Sequence, residues 1–190
     1  EMKHDMVAVS EDHSCAIKDD GTVRCWGSNG HGGLGIGSFG GTAKSPQATN
    51  SLGVGRYAID ITVGASAGNT AFGHSCALLD DGSVVCWGRN NKGQLGDNTT
   101  TNRNSPTPTV PLPRPAVAVE AGYDFTCALL DNGSVMCWGW GSQGRLGNGG
   151  ADSLVPAYTN PIPGGRRAVA IDIGHYHACA VLEDGHVACW

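Results

Sequence analysis

The residues of this sequence that carry the most chemistry are eight cysteines, set in four pairs ten residues apart: Cys15 and Cys25, Cys76 and Cys86, Cys127 and Cys137, Cys179 and Cys189. Sulfurs placed in this way could hold a metal, serve as redox nucleophiles or cross-link two strands. His13, His74 and His177 each stand two residues before the first cysteine of a pair, which on a β-strand puts histidine and cysteine on one face. A metal site would use that arrangement. Phe125 fills the same place in the third copy, however, and the Cys-x-x-Cys spacing of zinc modules is missing. The better reading is four cross-strand disulfides and structural, hydrogen-bonding histidines, with no metal, cofactor or catalytic residue. Paired cysteines of this kind suit an oxidising compartment, so the expected location is extracytoplasmic, whether secreted, periplasmic or cell-surface.

The elements that position these side chains are written four times. CAIKDDGTVRCWG begins at Cys15, CALLDDGSVVCWG at Cys76, CALLDNGSVMCWG at Cys127 and CAVLEDGHVACW at Cys179. Such self-similarity dictates one supersecondary unit stacked on copies of itself. Midway between each pair stands Asp20, Asp81, Asn132 or Asp184, always followed by glycine. A type I turn followed by a left-handed residue needs glycine in the third loop place, so Asp80-Asp81-Gly82 reads as a hairpin loop with a bulge. Leu79 then faces Ser83, Leu78 faces Val84, Ala77 faces Val85, and Cys76 faces Cys86. Opposed α-carbons in such a pair lie about 4.5–5.5 Å apart, within the reach of a disulfide.

Alternation puts Cys76, Leu78, Val84 and Cys86 on one face and Ala77, Leu79, Val85 and Trp87 on the other. Neither face is polar, so the hairpin needs cover on both sides, and a neighbouring copy on each side supplies it. In the first copy Lys18 and Arg24 replace Leu79 and Val85, which suggests an end unit or a polar contact there.

Valine-rich segments precede the hairpins. Val7, Val119 and Ile171 each stand eight residues before a first cysteine and read as a third, buried strand, with Tyr57-Ala58-Ile59-Asp60-Ile61 as the counterpart in the second copy. The first cysteines are 61, 51 and 52 residues apart, because the second copy carries an extra Gly/Ala/Ser-rich loop between Gly64 and Gly73. Long loops are favoured binding sites, so Asn69 and Phe72 within it are candidate partner contacts. After each Trp-Gly, SNGHGGLG, RNNKGQLG and WGSQGRLG superpose without gaps and put Leu34, Leu95 and Leu146 in one equivalent place, each a turn pinned by an apolar anchor. They lack the lysine of a phosphate loop. Pro46, Pro106, Pro108, Pro111 and Pro156 then mark a fourth, outermost strand, where proline blocks further pairing.

This order of valine-rich strand, His-Ser-Cys-Ala-Leu, Asp-Gly, Val-x-Cys-Trp-Gly and Asn-x-x-Gly-Gln-Leu-Gly resembles the repeat of the regulator of chromosome condensation family, best between Gly73 and Gly96. The resemblance covers almost the whole chain. It implies an all-β fold of four-stranded antiparallel propeller blades, commonly seven to a ring. The 190 residues hold about three and a half blades, an incomplete ring, as one repeat domain (1–190) with units near 6–56, 57–115, 116–167 and 168–190. The chain is then part of a longer protein, or copies associate to finish the circle. Plant photoreceptors similar to this family sense ultraviolet light through tryptophans in a Gly-Trp-Arg-His-Thr context. GYDFT and GHYHA stand here instead, which argues against that role.

The net charge is −5 with only 12 lysines and arginines, so nucleic acid is not an expected partner, and no apolar run reaches the length of a membrane span. Trp26, Trp87, Trp138 and Trp190 recur once per unit and read as core, whereas Trp140 breaks the repeat and is a candidate exposed contact for a protein partner. The expected role is a non-enzymatic protein-recognition scaffold. The alternatives are a structural or accessory subunit of a larger extracellular assembly and, less favoured, an enzyme with a site in the propeller funnel.

Overall fold

A computed structural model describes residues 6–65, 73–160 and 162–190 of the chain. Its strands form four antiparallel sheets in chain order. The first contains β1 (Val7–Val9), β2 (His13–Ile17), β3 (Val23–Ser28) and β4 (Thr42–Ala48). The second contains β5 (Ala58–Gly64), β6 (His74–Leu79), β7 (Val84–Gly88) and β8 (Arg103–Pro108). The third contains β9 (Ala116–Ala121), β10 (Phe125–Leu130), β11 (Val135–Gly139) and β12 (Ser153–Tyr158). The fourth has three strands, β13 (Ala168–Ile173), β14 (Ala178–Leu182) and β15 (Val187–Cys189). The helical content among the described residues is two 3-10 turns, Ser142–Gly144 and Pro163–Gly165. These are blades of a β-propeller. The innermost strands β1, β5, β9 and β13 lie side by side around the axis, and the proline-bearing strands β4, β8 and β12 lie outermost.

The hairpin register is the one set by the turn. Cys76 pairs with Cys86, Ala77 with Val85 and Leu78 with Val84, and the Leu79 amide donates to the Ser83 carbonyl. Asp81 closes the turn by accepting from the Ser83 amide (3.0 Å) and hydroxyl (2.6 Å). Gly82 has φ +79°, and a Cβ there would stand 2.5 Å from Pro115 at the approach to the next sheet. The turn therefore needs glycine twice over, for its own backbone and for its neighbour. The carbonyls of Gly21, Gly82 and Gly133 each accept the amide that starts the next inner strand, from Ala58, Ala116 and Ala168.

Each cysteine face packs against the tryptophan-bearing face of the following sheet. Cys15, Ile17, Val23 and Cys25 bury against Ala77, Leu79, Val85 and Trp87. Cys76, Leu78, Val84 and Cys86 bury against Ala128, Leu130, Met136 and Trp138. Cys127, Leu129, Val135 and Cys137 bury against Ala180, Leu182, Ala188 and Trp190. Leu34, Leu95 and Leu146 are fully buried at these seams, each contributing about 1.5–3 kcal/mol by its removal from water. The glycine after each leucine sits under the next sheet's tryptophan. Gly96 has φ +68°, and its Cβ would stand 2.8 Å from Trp138 Nε1. Trp87 Nε1 donates to the Gly33 carbonyl (2.8 Å) and Trp138 Nε1 to the Gln94 carbonyl (3.0 Å). The Gly-x-Leu-Gly segment is thus the socket for the neighbouring blade's indole.

Two features differ from the sequence reading. Val119 is buried and Ile171 half-buried, but Val7 is 60% exposed, because among the described residues no sheet covers the tryptophan side of the first blade. Trp26 is half-buried there for the same reason, and Lys18 and Arg24 are exposed.

Candidate functional site

The four cysteine pairs stand directly opposite one another on the two central strands of each blade, with Cα–Cα separations of 4.1 Å and the sulfurs within bonding distance: Cys15–Cys25, Cys76–Cys86, Cys127–Cys137 and Cys179–Cys189. The first three are fully buried. Two of the three pre-cysteine histidines bond across a seam. His13 Nε2 lies 2.7 Å from Ser75 Oγ, and His74 Nε2 lies 2.8 Å from Thr126 Oγ1. Those hydroxyls donate onward to the carbonyls of Gly33 and Gln94, so each accepts from an Nε2–H of a neutral imidazole. Burial lowers the His13 pKa to about 4 and that of His74 to about 3, the latter helped by His13 and Arg89. Among the described residues no cluster of three or more metal-ligating side chains occurs.

A second cluster lies on the rim where the hairpins meet the inner strands. Trp140 leaves β11 with its amide bonded to the Asp124 carbonyl (2.8 Å). Its ring is half-buried rather than exposed, because the Arg145 guanidinium lies 4.2 Å from the ring centroid and Lys92 Nζ, from the preceding blade, lies 5.1 Å away. Arg145 is wholly buried, held by the Ser142 carbonyl, the Tyr123 carbonyl and Gln143 Oε1, and it also faces the Tyr176 ring at 5.0 Å. Burial draws its pKa down from the usual arginine value. Tyr123 and Tyr176 meet edge to face at 5.0 Å, with His175 beside both. Asp124 is buried beneath, accepting from Gln94 Nε2 at 2.7 Å, with Arg89 Nη1 at 4.0 Å. Burial raises its pKa, against the opposing pull of Arg89, Lys92 and Arg145. The rim continues into a basin of about 230 Å³ where the inner strands converge, lined by Glu11, Val63, Tyr123, Ile173 and His175 among others.

The rim joins cations stacked on aromatic faces, each such contact being worth about 0.5–2 kcal/mol according to its desolvation. Lower in the axis, Asp60, Glu120 and Asp172 approach from three inner strands. Burial, then Asp60 and Asp172, push the Glu120 pKa up to about 7, and Thr62 Oγ1 donates to it at 3.3 Å.

Of the candidate contacts, Trp140 sits at the centre of the rim, while Asn69 and Phe72 lie outside the described residues. Arg145, Tyr123, Tyr176 and Lys92 escaped the sequence reading. The available signal was departure from the repeat, since Arg145 occupies the place of Gly33 and Gln94 in Gly-x-Leu-Gly.

Sheet order, seams and sockets define a propeller built of repeats, and the comparisons agree. Models of the regulator of chromosome condensation (RCC1) repeat match residues 81–129 and 132–181, and a second model of that repeat matches 7–32 and 116–145. The chain belongs to that family. It is 30% identical over 185 residues to the human E3 ubiquitin-protein ligase HERC2, covering 97% of this chain and 4% of that protein. It is 38% identical over 138 residues to the Arabidopsis thaliana ultraviolet-B receptor UVR8, covering 71% of this chain and 30% of the receptor. The chain therefore spans a small part of these relatives. Human WBSCR16 superposes with a TM-score of 0.82 at 24% identity over 97% of this chain and 46% of its own. Yeast RCC1 (Prp20), in complex with Kap60, superposes with a TM-score of 0.76 at 23% identity over 97% and 42%.

Proposed function

We propose that the chain is a non-enzymatic protein-recognition segment of an extracytoplasmic propeller, and that its partner docks on the rim around Trp140. The observation that carries this reading is the gathering of Trp140, Arg145, Tyr176 and Lys92, from three blades, at positions where the repeat departs from itself. Residues that serve only stacking recur from copy to copy, as Leu34, Leu95 and Leu146 do in the first three. A rigid aromatic held by a buried arginine is the kind of anchor on which protein interfaces concentrate their energy. The solved yeast relative in complex with Kap60 supports protein binding as a use of this fold. The four cysteine pairs at bonding distance support the oxidising location.

The test places a photo-crosslinking side chain at position 140 and, as a control, at the fully exposed Val54, in protein returned to its native extracellular fraction. One protein captured from position 140 and absent from position 54 is the expected result. Equal capture from both, or none from 140, overturns the rim assignment. Eight free thiols in the unreduced native protein overturn the location.

A further inference from the structure

The arginines fall into two groups by what faces them. On the side of the hairpin turns each has a close carboxylate: Arg56 with Asp80 and Asp81 (3.1 Å each), Arg114 with Asp131 (3.0 Å) and Arg166 with Asp184 (3.2 Å). At the rim around Trp140 the pairing is missing. Arg89 Nη1 lies 4.0 Å from Asp124 Oδ1, and this buried nitrogen has no hydrogen-bond partner among the described residues. Arg145 is held by two carbonyls and the Gln143 amide oxygen, and Lys92 lies over the face of Trp140, so neither makes an ion pair among the described residues.

Asp124 is the acid set among these three cations, at φ +58° where the second blade has Gly73, and its Oδ1 already accepts from Gln94 Nε2. Asp152, whose field also reaches Arg145, accepts the Gly141 amide (2.8 Å) instead of pairing with it. Half-buried cations of this kind have given up water without gaining a counter-charge, which is where a charge-assisted hydrogen bond from an incoming anion gains most. The second and third blades each have all four strands and meet at a closed seam, so the exposure of Arg89 and Lys92 belongs to the rim itself. Beside the cations lies an aromatic floor, Trp140 half-buried and Tyr176 47% exposed.

The extent of the patch selects the anion. Glu11 and His175 face each other at 3.8 Å in the adjoining basin, so negative charge stands at one end of the cationic stretch. On a chain of net charge −5 a long polyanion would be repelled beyond it, whereas a few carboxylates are matched. We infer that the protein partner presents a short acidic segment here, with carboxylates set on Arg89 and Lys92 and an apolar side chain beside them on Trp140 and Tyr176; this rests on the rim around Trp140 being the docking surface.

Fluorescence anisotropy tests it with a short labelled peptide of glutamate, leucine and phenylalanine, a counterpart with lysine for glutamate, and an oligothymidylate of equal charge to the acidic peptide. The wild-type chain is expected to bind the acidic peptide at least about tenfold more tightly than the lysine peptide, and to lose that preference as salt rises from about 0.05 to about 0.5 M. Arg89→Ser/Lys92→Gln, which installs the residues that Ser28 and Gln143 supply in other copies, should weaken binding about tenfold. Arg56→Gln/Arg114→Gln removes the same charge from the turn side and should stay within about twofold of wild type. Circular dichroism and the absence of free thiols verify folding, and Lys92→Gln alone serves if the double change fails to fold. No preference for the acidic peptide, or an equal loss in both double variants, would overturn the inference. Tighter binding of the oligothymidylate would make nucleic acid the occupant and overturn it too. If either occurs while position 140 still captures a protein, the docking rim stands and only its acidic partner is lost; no capture from position 140 removes both.

Discussion

His74 Nε2 and Thr126 Oγ1 lie 2.8 Å apart across the seam between the second and third blades, 52 residues apart in sequence, and one seam further on the same two positions hold Phe125 and Ala178. The exchange is concerted and makes the seam testable. Thr126→Ala alone removes the acceptor from a fully buried imidazole and is expected to cost about 1–3 kcal/mol. The double change His74→Phe/Thr126→Ala is expected to recover most of that loss. Urea denaturation of the four members of the cycle measures the coupling, and additive losses would mean that the two positions act independently.

Acid should loosen the blades at these seams. His13 and His74 have folded pKa values of about 4 and 3, below the ordinary 6.5, so the unfolded chain takes up protons first as pH falls below about 6.5. Each then withdraws stability at up to about 1.4 kcal/mol per pH unit until its own folded pKa is reached. Glu120 works in the opposite direction. Its folded pKa of about 7 lies above the ordinary 4.5, so it adds stability as pH falls between those values. Melting temperatures are expected to drop from pH 6.5 to pH 4, with the drop steeper in Glu120→Gln and shallower in His74→Phe/Thr126→Ala. An unchanged profile in both variants would count against these assignments.

The socket glycines should tolerate nothing larger. Gly96→Ala combines a left-handed backbone (φ +68°) with a Cβ 2.8 Å from the Trp138 indole nitrogen, and a loss of about 2–5 kcal/mol is expected. Gly144→Ala has φ +80° but no neighbour within 4 Å, and about 1–2 kcal/mol is expected. Thermal melts of the two variants separate steric from backbone cost, and equal losses would show that the indole seat is dispensable.

Reduction should proceed from one end. Cys189 is exposed and Cys179 half-buried on the open fourth blade, while the other six cysteines are shielded at 0% exposure. Under mild reductant, with mass-tagging of released thiols, Cys179 and Cys189 are expected to label first. Simultaneous labelling of all eight would mean that the blades open cooperatively before any sulfur is reached.

The sequence by itself determined everything that repeats over short range. An Asp-Gly or Asn-Gly at the midpoint of each hairpin fixes a three-residue turn, the turn fixes the register, and the register places Cys76 opposite Cys86 with two apolar faces that demand neighbours. Blade order and the proline-marked outer strands follow from the same local period. What decides contacts between blades has no such period. Arg145, Tyr176 and Lys92 converge on Trp140, and Asp60, Glu120 and Asp172 on the axis, from different sheets. The burial of Val7 and Trp26, too, depends on whether a sheet stands against them, which alternation along a strand does not encode. Alternation tells a side chain which face it occupies; only the stacking of finished sheets, driven by the removal of both faces from water, determines which partner it meets there.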